Sequence, residues 1–239
     1  MVRKSFLIGC VIFLCSTSFI QAAPHLDEHD SLEKTIKGAI TDLVEDNAAF
    51  AKEAPEEHFH GLDIQKPRVT MVMCSDSRVQ VDNFSQGAEN DIFIARNIGN
   101  QFSTTQGSIE YGVNVLNTPV LIFVGHSHCG AVKAARGDLG QLAPAIREEL
   151  LTMDVKKAPD EKQAVALNIH NQIEKALSNF KDKVNSKKIA LIGAIYDFRN
   201  DYGYGKGQLI IINLNGEKDP QKIMSSHYFD GLINVKVGI

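Results

Sequence analysis

No block of positive charge runs through these 239 residues: 25 Lys and Arg stand against 29 Asp and Glu, a formal net charge of −4. A nucleic-acid partner needs a clustered positive field for its phosphates, and neither end of the chain supplies one. Prolines number only 7, and no repeat or low-complexity linker interrupts the sequence. With 44% hydrophobic residues, this composition suits one globular domain with a sizeable core. Nor does any apolar run reach the ~20 residues that span a bilayer. A charge-free run from Phe6 to Ile20 follows Arg3 and Lys4 and leads to the small residues Ala22 and Ala23. Basic head, short apolar core and small-residue exit make a secretory signal peptide. We therefore expect residues 1–22 to be removed on export, leaving one domain over 23–239, periplasmic or secreted, with no stable membrane anchor. Loss of Arg3 and Lys4 would leave 23 basic residues against 29 acidic ones, a net charge of −6.

Cysteine is also scarce. Of the 4 in the chain, Cys10 and Cys15 would leave with the signal, and Cys74 and Cys129 remain. In an oxidising compartment a pair of cysteines suggests a disulfide. A disulfide explains the two thiols but not the residues gathered around them. Cys74-Ser-Asp76-Ser-Arg78 is followed, 48 residues beyond Arg78, by His126-Ser-His128-Cys129. Two thiols and an imidazole are the soft sulfur and nitrogen donors that zinc prefers. Three protein ligands leave a fourth position for water, which marks a catalytic rather than a structural zinc site. Zinc held in this way lowers the pKa of bound water and makes hydroxide available near neutral pH.

Asp76 then has two possible roles. It can fill the fourth position and shut the site, or it can accept a hydrogen bond from the hydroxide and orient it. The planar fork of Arg78 can hold the carboxylate bidentately and draw it off the metal. His128 lies between two ligands and cannot easily join the same zinc, so a surface role or at most proton transfer is expected of it. His58, His60, His170 and His227 are expected to be structural or solvated.

The order of elements predicts an α/β fold. A helical period carries Leu32, Ile36, Ile40, Leu43 and Phe50 as an N-terminal arm, which Pro55 breaks. Short apolar runs at 69–73, 91–95, 120–124 and 189–193 suit strands buried on both faces. Helical patterns over 107–116, 131–135, 142–153 and 161–183 lie between them, which argues for a mostly parallel central sheet flanked by helices. Residues 208–213 follow a glycine-rich turn and read as an antiparallel edge strand. Both motifs then fall at the carboxyl ends of parallel strands, where open α/β sheets build their sites.

With these motifs the chain resembles the β-class carbonic anhydrases, from about Leu32 to Asn213. Cys-x-Asp-x-Arg and His-x-x-Cys carry the resemblance, together with Phe93-Ile-Ala-Arg96-Asn97-Ile98-Gly99-Asn100, Gly107-Ser-Ile-Glu-Tyr111 and Gly125 to Gly130. The resemblance implies reversible hydration of CO₂ to bicarbonate and a proton by a zinc-bound hydroxide. It implies one Zn²⁺ per chain on Cys74, His126 and Cys129, with Asp76 and Arg78 as the dyad that orients the hydroxide. It also implies a cleft at a dimer interface, lined by Gln65, Phe93, Ile98 and Tyr111, with Gly130 as a backbone donor. A homodimer or a dimer of dimers follows, its N-terminal helix packing across a partner subunit. Some members close the site with the aspartate and carry a bicarbonate pocket built on tryptophan. This chain has no tryptophan, so an open site with Asp76 held by Arg78 is expected at neutral pH. A carbon disulfide hydrolase of the same build and a non-catalytic zinc or thiol protein of the periplasm stand as alternatives.

Overall fold

The computed structural model describes residues 28–239, and the expected signal segment, residues 1–22, lies outside the described residues. Contacts divide the chain into two compact units, Met1–His60 and Gly61–Ile239. In the first, helix α1 covers Glu28–Glu53. Its apolar stripe of Leu32, Ile36, Ile40, Leu43 and Phe50 is exposed. The helix stops two residues before Pro55, whose ring cannot continue the hydrogen-bond ladder. A single 3₁₀ turn follows over Glu56–Phe59, and there the His58 ring packs edge-on against Phe50 and Phe59.

The second unit is built on a six-stranded sheet of order β2-β1-β3-β4-β5-β6. Strands β1 (Val69–Cys74), β2 (Ile92–Asn97), β3 (Val120–His126) and β4 (Ala190–Asp197) are parallel. Strand β5 (Gln208–Leu214) turns back antiparallel to β4, as the glycine-rich turn before it foretold. Beyond it lies β6, the two residues Lys236–Val237, parallel to β5, so the edge position falls to a strand too short to leave a sequence pattern.

Five helices belong to this unit: α2 (Gln106–Glu110), α3 (Gly130–Arg136), α4 (Pro144–Leu151), α5 (Glu161–Asn185) and α6 (Pro220–Met224). The segment expected to be one helix over 107–116 instead leaves α2 in a wider π turn at Tyr111–Val115, with the Leu116 amide bonded back to the Tyr111 carbonyl. Among the described residues no helix is long and apolar enough to cross a membrane.

Alternation along the strands sends Val72, Cys74, Leu121, Phe123, Leu191 and Ile195 to one face. Met71, Met73, Ile122, Val124, Ala194 and Tyr196 go to the other. The first face is covered mainly by α5, whose N-cap Asp160 accepts from the Gln163 amide at 2.8 Å. Two glycines on neighbouring strands let α5 come close. A Cβ on Gly125 would lie 2.8 Å from Ile169 Cδ1, and one on Gly193 would lie 2.6 Å from Ile169 Cγ2. Strand β1 has β2 on one side and β3 on the other, so the chain reverses its direction of winding there. A crevice at the carboxyl ends of the strands opens at such a reversal.

Candidate metal centre

Cys74 is the last residue of β1 and His126 the last of β3, and the two strands are neighbours. Cys129 follows three residues later, immediately before α3. The sheet thus gathers residues that the sequence holds far apart. One donor atom from each of the three lies within 4.8 Å of the others, and all three residues are buried. The two sulfurs are 4.0 Å apart. Bonds of about 2.3 Å from a tetrahedral zinc would set them about 3.8 Å apart, so the pair needs almost no adjustment.

The imidazole is oriented for the same task. His126 Nδ1 lies 3.0 Å from the Ser127 carbonyl oxygen, which can only accept, so Nδ1 carries the proton. Nε2 keeps its lone pair. It is buried with no hydrogen-bond partner, a costly state unless a cation completes it. The donor set and this orphaned nitrogen together fit zinc.

The thiols point the same way. The hydrogen bond from Cys129 pulls the Cys74 pKa down, and the Gly99 amide, 3.4 Å from Cys74 Sγ, helps it. The same bond, burial and the charge on Cys74 push Cys129 up, although the amides of Ala131 and Val132 favour its thiolate. The pair therefore loses one proton readily and resists losing the second. A dication between the sulfurs removes that resistance.

Beside the sulfurs, Arg78 grips Asp76 with both arms of its fork, Nε to Oδ1 at 2.9 Å and a terminal nitrogen to Oδ2 at 2.6 Å. The Arg78 amide adds a bond to Oδ1 at 3.0 Å. These donors hold the Asp76 carboxyl well below the usual carboxylate range. Asp76 Oδ2 is nevertheless only 3.8 Å from His126 Nε2. Two further groups fix the loop. Arg96 donates to the carbonyls of Cys74, Asp76 and Val79, at 2.8, 3.0 and 2.7 Å for one terminal nitrogen. Phe198 lies under the Arg78 guanidinium at 4.9 Å and stacks on the His126 ring at 6.0 Å.

The cleft residues fall into a different place. Phe93 and Tyr111 have ring centroids 5.8 Å apart, and Gln65 lines a surface cavity together with Phe93. Phe93 pairs with Thr70 near the start of β1, whereas Cys74 pairs with Asn97. Four residues along a strand are about 13 Å, so one chain does not bring this group to its own three ligands. Ile98 is nearer: it precedes Gly99 and packs half-buried against the core on the α5 side. Gly130 opens α3 beside Cys129, is exposed, and has nothing within 4 Å of where a Cβ would be. His128 turns its Nδ1 to Glu161 Oε1 at 3.1 Å, away from the ligand pair, with a positive φ of 55°. The sequence reading missed the parts played by Gly99, Arg96 and Phe198. The first two stand in the quoted motif stretch, but Phe198 carried no signal.

The carbonic anhydrase family model matches residues 69–203, a range that includes Cys74, Asp76, Arg78, His126 and Cys129. Carbonic anhydrase 2 of Mycobacterium tuberculosis is 39% identical over 101 residues, covering 39% of this chain and 49% of the relative. The chain thus spans about half the length of the first curated relatives it matches. Among solved structures, the β-carbonic anhydrase CcaA superposes with a TM-score of 0.64 at 25% identity, covering 74% of this chain and 88% of that one. A tetrameric β-carbonic anhydrase of the ascomycete Sordaria macrospora gives 0.61 at 25% identity, covering 74% and 98%. The family match takes in more than half of the chain, and the fold superposes on β-carbonic anhydrase structures: the chain belongs to the β-class carbonic anhydrase family.

Proposed function

We propose that the protein catalyses reversible hydration of CO₂ to bicarbonate and a proton, with zinc on Cys74, His126 and Cys129. The observation that carries the reading is the buried, unpartnered His126 Nε2 facing two sulfurs 4.0 Å apart. Zinc bound there lowers the pKa of a water enough to supply a nucleophile near neutral pH, an effect for which carbonic anhydrase is itself the type example. The protein's own groups do the rest. Asp76 is kept ionised by Arg78, so it can only accept, and its carboxylate would accept a hydrogen bond from the nucleophile's O–H and so orient the lone pair. Arg78 keeps the carboxylate from taking the open position itself. Burial of both sulfurs excludes bulk water from the ligands.

The cleft is proposed to be completed between subunits of a homodimer or a dimer of dimers. Gln65, Phe93 and Tyr111 would supply the apolar wall and fixed donors that CO₂ and bicarbonate need, from the partner's side. The exposed stripe of α1 supports this assembly, since such a surface is seldom left to water. Export to the periplasm or beyond rests on residues 1–22.

Stopped-flow CO₂ hydration, with zinc quantified in the same sample, tests the reading. One zinc per chain, activity abolished in Cys74→Ser and strongly reduced in Asp76→Asn would establish it. Zinc without hydration at pH 8.5 would refute it and direct the assay to carbon disulfide.

A further inference from the structure

The loop that follows β4 sends one side chain back beneath the metal centre. Phe198 makes contact with a proposed ligand and with the dyad at once: its ring stacks on His126 with 24° between the planes and carries the Arg78 guanidinium 4.9 Å above its centroid. Tyr196 supports it from β4, with ring centroids 5.8 Å apart, and Phe84 in turn supports Tyr196 at 5.1 Å. Behind it the buried Asp197 accepts the amides of Asp201 and Tyr202, both at 2.9 Å, which pins the turn carrying Phe198. Phe198 is therefore held from behind while it holds Arg78 in front.

That grip matters because of where Asp76 stands. Bonds of about 2.0–2.1 Å from a tetrahedral metal set two light ligand atoms about 3.3 Å apart. Asp76 Oδ2 is 3.8 Å from His126 Nε2, already near that separation, but it does not group with the two sulfurs, so ligation needs the carboxylate to swing out of the Arg78 fork towards them. Arg78 opposes that movement, but its side chain is 46% exposed and its hold on the carboxylate competes with water. The cation–π contact with the ring 4.9 Å away favours the guanidinium position from which both fork bonds form.

We infer that Phe198 is a positioning residue that keeps the site open, by bracing Arg78 so that Asp76 stays off the metal. The inference rests on the zinc reading above. Its test uses the full chain loaded with cobalt(II), whose visible bands report the metal's fourth ligand and whose sulfur-to-metal band reports intact cysteine ligation. Potassium thiocyanate is the probe, since it binds only where the fourth position can be yielded. Phe198→Leu removes the π face and is expected to weaken thiocyanate by up to about 30-fold, the range of a partly desolvated cation–π contact. Phe198→Met, unbranched and better able to fill an irregular gap, gives the same reading should the leucine variant lose its sulfur-to-metal band. Phe198→Tyr restores the face and the affinity, and adding Asp76→Asn to Phe198→Leu restores affinity by removing the competing carboxylate.

Unchanged thiocyanate binding in the leucine or methionine variant, or no recovery in the double variant, overturns the inference while leaving the zinc reading intact. A wild-type chain that takes up no cobalt on its cysteines overturns both.

Discussion

Replacing Gly99 with alanine would strike the core and the metal centre in one step. Gly99 has φ +87°, a region that L-residues enter at a cost of roughly 1–2 kcal/mol. Its new Cβ would also lie 2.8 Å from Met153 Cε and 3.1 Å from Met153 Sδ. Met153 is fully buried, so it can yield only by pushing its neighbours, an overpacking worth about 1–3 kcal/mol. The sum is a loss of about 2–5 kcal/mol. The Gly99 amide that reaches Cys74 Sγ at 3.4 Å moves with the backbone, so zinc should also pass to a chelator faster. Urea unfolding at pH 7.5 on the zinc-loaded protein reads the first effect. Removing Met153 in a Met153→Ala background deletes the clash and leaves the backbone strain, so the alanine should then cost about 1–3 kcal/mol less. An alanine tolerated within about 0.5 kcal/mol, or an equal cost in both backgrounds, would refute the reasoning.

Two more tests concern protons. Asp76 has its folded-state pKa depressed, so the stability it lends is present above the unfolded value near ~3.9 and is lost as pH falls through the folded value. Against Asp76→Asn, urea titrations should show wild type ahead by about 1 kcal/mol at pH 7, the exposed Arg78 limiting the gain, with the gap shrinking towards pH 3. A gap independent of pH would contradict that sign. His170 titrates the other way round from a paired histidine: burial lowers it to about 4, helped by Lys218, and Asn213 Nδ2 at 3.1 Å donates to its neutral ring. Folding then excludes its proton, and wild type should lose up to about 3 kcal/mol between pH 6.5 and 4 relative to His170→Gln. An NMR titration of His170 with a midpoint near 6.5 would refute this.

How much of this the sequence discloses depends on the range of each interaction. The four parallel strands were legible because burial on both faces makes each a short continuous apolar run, 69–73 and 120–124 above all. The Cys74, His126 and Cys129 group was legible because soft sulfur and nitrogen donors are the residue types that suit zinc. The π turn at Tyr111–Val115 was not, since a π turn and an α turn share the same apolar period at that length. Strand β6, with two residues, is below any pattern. Phe198 stands in no motif of the sequence. Its importance comes from meeting Arg78, 120 positions away, and His126 across the β3–β4 pair, a coincidence made only by the fold. Gly125 does not adopt a positive φ, and what its missing side chain provides is room for Ile169 of α5.

The separation of Gln65, Phe93 and Tyr111 from the ligands bears on how a complete site could arise. Strand β2 forms the outer edge of the sheet, and along it Phe93 and Asn97 mark two levels about 13 Å apart, the cleft cluster at one and the metal end at the other. An exposed edge invites a second strand. A copy related by a twofold axis normal to β2 and passing near Ala95 would run in the opposite sense and set its Phe93 level against this chain's Asn97 level. Each chain would then lend its aromatic pair to the other's metal centre, and two sites would form or fail together. On the proposed assembly, the apolar wall for CO₂ and the zinc ligands belong to different copies. The half-exposed Tyr111, at 44%, is then a residue awaiting a partner rather than a misplaced core aromatic.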